Sequence, residues 1–120
     1  MKKHVLVVDD SPTDRQMVTT LLQKEGYSVT TAVDGEDALQ KIAAEQPPLV
    51  VLDIVLPKMN GYQVLRQLKS APETRNIKVI LVSSKNQEED KFWGLKQGAD
   101  DYIAKPIPDT ALLSAVARHF

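Results

Sequence analysis

Short apolar runs alternate along this chain with longer stretches of helical period. Val5–Val8, Leu49–Ile54 and Val79–Val82 are nearly uninterrupted apolar runs, the pattern of strands covered on both faces of a parallel sheet. Ser28–Val33 and Asp101–Ala104 are weaker strand candidates and are expected nearer the sheet edges. Five helices are predicted between and after these runs. The first opens on Ser11-Pro12-Thr13-Asp14: a hydroxyl N-cap, proline at the first helical position and an acid at the third. Its apolar stripe is Met17, Val18, Leu21 and Leu22, and Gly26 stops it. The second carries Ala38, Leu39, Ile42 and Ala43 before Pro47-Pro48, and the third, from about Asn60, carries Val64, Leu65 and Leu68. The fourth runs from about Asn86 to Gln97 and stops at Gly98; the fifth, after Pro108-Asp109, carries Leu112, Leu113, Val116 and Ala117.

A β-α unit repeated five times predicts an α/β fold: a doubly wound parallel sheet with right-handed crossovers and helices on both faces. The 120 residues fit one domain spanning 1–120, with no room for an output domain. A closed (βα)₈ barrel needs about twice that length. The 15 basic and 16 acidic side chains leave a net charge of −1, which argues against nucleic-acid binding through a basic surface. With no cysteine, thiolate zinc sites and disulfides are excluded. The apolar run after Lys2-Lys3 is four residues long and ends in Asp9-Asp10, too short for a secretory signal. No run approaches the ~20 residues of a membrane span, so the expected location is the cytoplasm, with no membrane insertion.

In open α/β sheets ligands bind beyond the carboxyl ends of the strands, so the residues following each strand carry the chemistry. Asp9 and Asp10 follow the first strand, Asp53 falls at the end of the third, Ser83 and Ser84 end the fourth, and Lys105-Pro106 follows the fifth. Taken singly, most of these read as ordinary loop or cap residues. Asp53 is harder to dismiss, because it closes an apolar run where a charge is costly unless paired or metal-bound. Three clustered carboxylates call for a divalent cation, and an oxygen-only donor set favours Mg²⁺ or Mn²⁺ over zinc. One aspartate can then act as the nucleophile toward a phosphoryl group, with a lysine and a hydroxyl holding the transferring oxygens.

The segments VLVVDDS, VVLDIVLPKMNG, ILVSS and GADDYIAKP together resemble response-regulator receiver domains, the flavodoxin-like CheY fold, over nearly the whole chain. That resemblance implies a five-stranded sheet in the order 2-1-3-4-5. It implies Asp53 as phosphoacceptor, Mg²⁺ held by Asp10, Asp53 and the Val55 backbone carbonyl with Asp9 acting through water, Ser83 as the switch hydroxyl and Lys105 as the phosphoryl-binding lysine. It also implies a cis Lys105-Pro106 bond. Three positions depart from common family choices: Val55 replaces a polar side chain, Ser83 stands where threonine is frequent, and Ser84 where alanine is. These bear on the phosphate lifetime and leave Asp53 in place.

The resemblance further implies a histidine kinase or phosphotransfer domain as donor, and a protein target bound through the face of the fourth helix, fifth strand and fifth helix. A monomer is expected, with a dimer as the alternative, and no enzymatic reaction beyond the chain's own phosphoryl transfer and slow autodephosphorylation. Tyr102 would be the aromatic that rotates when Ser83 moves inward; otherwise it is a half-buried edge-strand tyrosine with its hydroxyl at the surface. On the fourth helix, Phe92 aligns with Leu95 and is expected in the core, leaving Trp93 either a partly exposed interaction anchor or packed over the helix beside Gly94. Lys85–Lys91 is expected to be the solvated start of that helix, and His4 and His119 to lie outside the acidic rim. A dehalogenase-like phosphatase would want a DxD motif after the first strand and a cap domain. A flavin carrier would want a Ser/Thr/Gly-rich phosphate loop where Asp9-Asp10 stand, and a binding-only pseudo-receiver would lack acids or the lysine. The stretch SSKNQEEDKFWGLKQGADDYIAKP also resembles single-domain regulators of chemosensory pathways for type IV pilus motility.

Overall fold

The computed structural model describes residues 3–84 and 88–120. The elements follow the predicted alternation: β1 (His4–Val8), α1 (Pro12–Lys24), β2 (Ser28–Ala32), α2 (Gly35–Glu45), β3 (Leu49–Asp53), α3 (Gly61–Ser70), β4 (Lys78–Ser83), α4 (Glu88–Lys96), β5 (Asp101–Ala104) and α5 (Asp109–His119). All strand pairings are parallel and the order is β2-β1-β3-β4-β5. Boundaries differ from the expected ones by a residue or two, and the predicted start of the fourth helix at Asn86 lies outside the described residues.

Alternation along the strands divides the core in two. Leu6, Val8, Val50, Leu52, Val79 and Leu81 point to the α2–α3 side, where they meet Ala38, Ile42, Val64, Leu65 and Leu68. Val5, Val7, Leu49, Val51, Ile80 and Val82 point to the other, under Val18 and Leu22 of α1 and Leu112, Ala115 and Val116 of α5. Burial of each such Leu or Ile contributes about 1.5–3 kcal/mol, so strands β1, β3 and β4 hold the sheet from both faces at once.

Local chemistry sets the helix starts on the functional rim. Ser11 caps α1 by accepting from the Asp14 N–H. Asn60 and Gln63 form a reciprocal capping box at α3, with Asn60 Oδ1 3.0 Å from the Gln63 nitrogen and Gln63 Oε1 2.9 Å from the Asn60 nitrogen. Helix α5 has Pro108 at its N-cap and no side-chain cap.

The stripes of α2, α3 and α5 fall largely as predicted, but several predicted stripe residues face water, Ala43 of α2 and Ala117 of α5 among them. Met17 of α1 is 46% exposed, since Val18 and Leu22 already fill the groove against the sheet. The larger correction is in α4. Phe92, expected in the core, is 66% exposed, and Leu95 and Trp93 are exposed as well; Gly94 is the helix's buried residue. A Cβ at position 94 would sit 2.9 Å from the Tyr102 ring and 3.0 Å from Leu81 Cδ1. The helix therefore approaches the sheet through a glycine. At about 100° per residue, Trp93 and Leu95 then flank the contact and Phe92 stands nearly opposite it. Among the described residues, no helix is long and apolar enough to cross a membrane.

Candidate functional site

The carboxyl ends of β1, β3, β4 and β5 place the predicted residues on one rim. Asp9 immediately follows β1, and its N–H donates to the Ala32 carbonyl at 3.1 Å, tying it to the end of β2. Asp53 is the last residue of β3 and pairs in register with Val82, while Ser83 pairs with Ala104 one step further out. The Lys105 N–H donates to the Ser83 carbonyl at 2.7 Å, so the lysine leaves the sheet directly above the fourth strand's end. The Lys105-Pro106 bond is cis, as expected.

Asp53 is held from below by close backbone approach. The Gly61 N–H donates to the Ile54 carbonyl at 2.8 Å, and a Cβ on residue 61 would lie 2.4 Å from the Asp53 carbonyl oxygen. Glycine is required there because α3 starts against the backbone that carries the acid. The Val55 N–H donates to Asp53 Oδ1 at 3.1 Å, and Lys105 Nζ donates to Oδ2 at 2.9 Å. Asp53 is 5% exposed and Asp9 2%. Burial pushes the Asp53 carboxyl above its ordinary range; the Lys105 bond opposes that, the Asp9 charge adds to it, and the net direction is up.

Asp9, Asp10 and Asp53 each offer an oxygen within 4.8 Å of the others'. Asp10 is exposed, whereas Asp9 is occupied by neighbours: Oδ1 accepts from the Ser11 N–H at 2.9 Å and Oδ2 from Lys105 at 3.0 Å. An oxygen-only cluster of this size suits a hard divalent cation, with Asp10 the acid that opens to solvent. Val55 is 55% exposed, and its N–H is the group that meets Asp53.

Lys105 is bound more heavily than the sequence suggested. Its ammonium contacts Asp9, Asp53 and also Asp14 Oδ2, the last at 2.9 Å. Asp14 had been legible only as a first-turn helix acid. The available signal was its place in the first turn of a helix that begins on the same rim. Burial would lower the Lys105 pKa, but hydrogen bonds to Asp14, Asp53 and Asp9 outweigh it and hold the ammonium above its ordinary range. Arg15 Nη1 donates to the Asp9 carbonyl at 2.8 Å, a further unpredicted contact.

Ser83 is fully buried, and its hydroxyl acts on the neighbouring Tyr102 phenol. Tyr102 is 7% exposed, so it is buried where a half-buried edge-strand tyrosine was the alternative. Burial raises the Tyr102 phenol pKa despite the Ser83 hydroxyl. His4 pairs with Glu45 at the opposite end of the sheet, and His119 with Asp101 on β5; both lie off the rim, as expected.

A buried acid, two flanking carboxylates, a buried hydroxyl and a lysine on the end of a 2-1-3-4-5 parallel sheet match the features of a receiver. The chain belongs to the response regulator receiver domain family, whose profile matches residues 5–117. Receiver domains work in two-component signalling with histidine kinases or phosphotransfer partners and with downstream targets, and generally bind Mg²⁺ in an acidic pocket. Protein PilH of Pseudomonas aeruginosa is 45% identical over 93% of this chain and 93% of its own length. Protein PilG of the same organism is 42% identical over 96% of this chain and 85% of its own. The chemotaxis protein CheY4 of Vibrio cholerae superposes with a TM-score of 0.92 at 30% identity, covering 100% of both chains.

Proposed function

We propose that the chain is a phosphorylation switch in which Asp53 accepts a phosphoryl group from the phosphohistidine of a kinase or phosphotransfer domain. The observation that carries this reading is the meeting of Asp53 with Asp9, Asp10 and Lys105 at one strand-end rim. A carboxylate oxygen of Asp53 attacks phosphorus; the P–N bond of the phosphohistidine breaks, and the departing imidazole nitrogen takes the electron pair. Lys105 is placed to bond a phosphoryl oxygen, and the Val55 N–H stays against the acceptor carboxylate. Asp10, Asp53 and the Val55 carbonyl, with Asp9 through water, would hold Mg²⁺ or Mn²⁺, which supplies charge neutralisation for the acids and the phosphoryl oxygens. Hydrolysis returns the Asp53 carboxylate and inorganic phosphate, and the chain catalyses no other reaction.

The signal leaves through α4, β5 and α5. Ser83, drawn toward a phosphoryl oxygen, moves away from the Tyr102 phenol, whose ring packs directly under Gly94 of α4. Trp93 and Phe92 stand exposed on that helix as contact residues for a protein target. Similarity to PilH and PilG over most of their lengths supports a place in pilus-based motility signalling.

The test is incubation with acetyl phosphate and Mg²⁺ followed by intact mass. The chain should gain one phosphoryl adduct, and Asp53→Ala should gain none. An adduct of equal yield on the variant, or none on either protein even with a cognate kinase, overturns the reading.

A further inference from the structure

The three oxygens on the Lys105 ammonium are not equivalent. Asp9 and Asp53 belong to the cluster whose oxygens lie within 4.8 Å of Asp10, whereas Asp14 is outside it, on the first turn of α1. Its contact to Lys105 is as short as that of Asp53, 2.9 Å in each case. Asp14 is a third exposed and Lys105 is mostly covered, so the ion pair stands at the mouth of the site. A groove of about 330 Å³ opens there, lined by Asp14, Met17, Ser84, Lys105, Pro106 and Ile107.

An ammonium has three N–H donors, and here each has a carboxylate. When Asp53 is phosphorylated, the oxygen that Lys105 must bond moves outward from Asp53 onto the phosphoryl group. Asp9 and Asp53 can keep sharing the lysine, because their charge is what gathers the cation and the phosphoryl group. Asp14 has no such part, and its bond pulls the same ammonium toward α1.

We infer that Asp14 is a positioning residue that restrains Lys105 from outside the acidic cluster and competes with the phosphoryl group for its ammonium. The inference rests on Asp53 being the phosphoacceptor. Removing the charge frees one donor of Lys105 and takes one negative charge from the path of an anionic donor. The pair is part-exposed, so its release has a modest effect, on the order of two- to fivefold.

The experiment titrates beryllofluoride, a phosphoryl mimic, at saturating Mg²⁺ into the intact chain, Asp14→Asn, Asp14→Glu and Asp53→Asn, reading Trp93 fluorescence and calorimetric heat. Asp14→Asn leaves the Ser11 cap in place, since that bond uses the backbone N–H of residue 14. It should bind beryllofluoride about two- to fivefold tighter, with Asp14→Glu restored to the parent affinity. Hydrogen exchange of the Lys105 ammonium, followed by NMR without ligand, should quicken in Asp14→Asn and not in Asp14→Glu. Equal or weaker binding by Asp14→Asn, or tightening shared by Asp14→Glu, overturns the inference while the phosphoacceptor reading stands. Binding by Asp53→Asn equal to that of the parent chain, or none by the parent, brings down that reading and the inference with it.

Discussion

Helices α3 and α4 lie on the same side of the sheet and each approaches it through a glycine, yet they are attached in different ways. Helix α3 buries Gly61, Val64, Leu65 and Leu68, carries a full capping box, and starts against the backbone of Asp53. Helix α4 buries Gly94 alone among its described residues and turns Phe92, Trp93 and Leu95 to water. The glycine of α3 anchors a helix that is also held by three large side chains, and it fixes the backbone of Asp53. The glycine of α4 lets Tyr102 and Leu81 fill the space beneath a helix that little else holds. A receiver needs its acceptor placed within tenths of an ångström and its output face able to shift; the two attachments divide those demands.

Filling the two glycines separates the two attachments most strongly. Gly61→Ala forces a methyl onto the Asp53 carbonyl and should cost about 1–3 kcal/mol in urea unfolding, with at least tenfold slower labelling by acetyl phosphate. If labelling stays at the parent rate, the close approach of α3 is not what positions the acid.

Replacing the acceptor's charge tests strain at the same end. Burial raises the Asp53 pKa, so the ionised acid opposes folding at neutral pH. Asp53→Asn should therefore unfold later, by about 0.5–2 kcal/mol at pH 7. The sign follows from the raised folded value: the penalty is present above it and disappears as falling pH protonates Asp53. Thermal melts of both proteins between pH 7 and pH 4 should converge; a difference that widens in acid contradicts the assignment.

Gly94→Ala sharpens the contrast. The added methyl meets the Tyr102 ring, but α4 can move away and alanine gains about 1 kcal/mol of helix propensity over glycine. The net change in stability should stay under about 1 kcal/mol, with faster amide exchange or a changed signal at Tyr102. A loss as large as that of Gly61→Ala would show α4 to be as firmly seated as α3. Smallest of all, Phe92→Ser and Trp93→Ser should each alter stability by no more than about 0.5 kcal/mol, since both residues are exposed. A cost of several times that in either would place the side chain in the core after all.

The rim residues were legible because their position depends on local pattern and topology. An apolar run ending in an acid is a strand end wherever the strand lies, and the β-α alternation brings the ends of parallel strands to one side. Asp9, Asp53, Ser83 and Lys105 followed from that rule, and Asp10 with them. The Phe92–Leu95 stripe misled for a related reason: spacing identifies a helix face but not which face the sheet accepts. With Leu81 and Tyr102 already filling the space under α4, a glycine fits there and the larger stripe turns outward.

The sequence by itself determined the order of elements, the parallel sheet and the identity of the acids at its rim, because hydrophobic period and strand ends are properties of neighbouring residues. The seating of α4 on the sheet, and no local pattern, decided that Tyr102 lies buried against Gly94. Only the tertiary structure decided that Asp14, 91 residues before Lys105, shares that lysine with Asp53. Such pairings depend on how helices seat against the sheet and on which donors are left over there, and these are settled by side chains distant in the chain competing for the same space and the same charge.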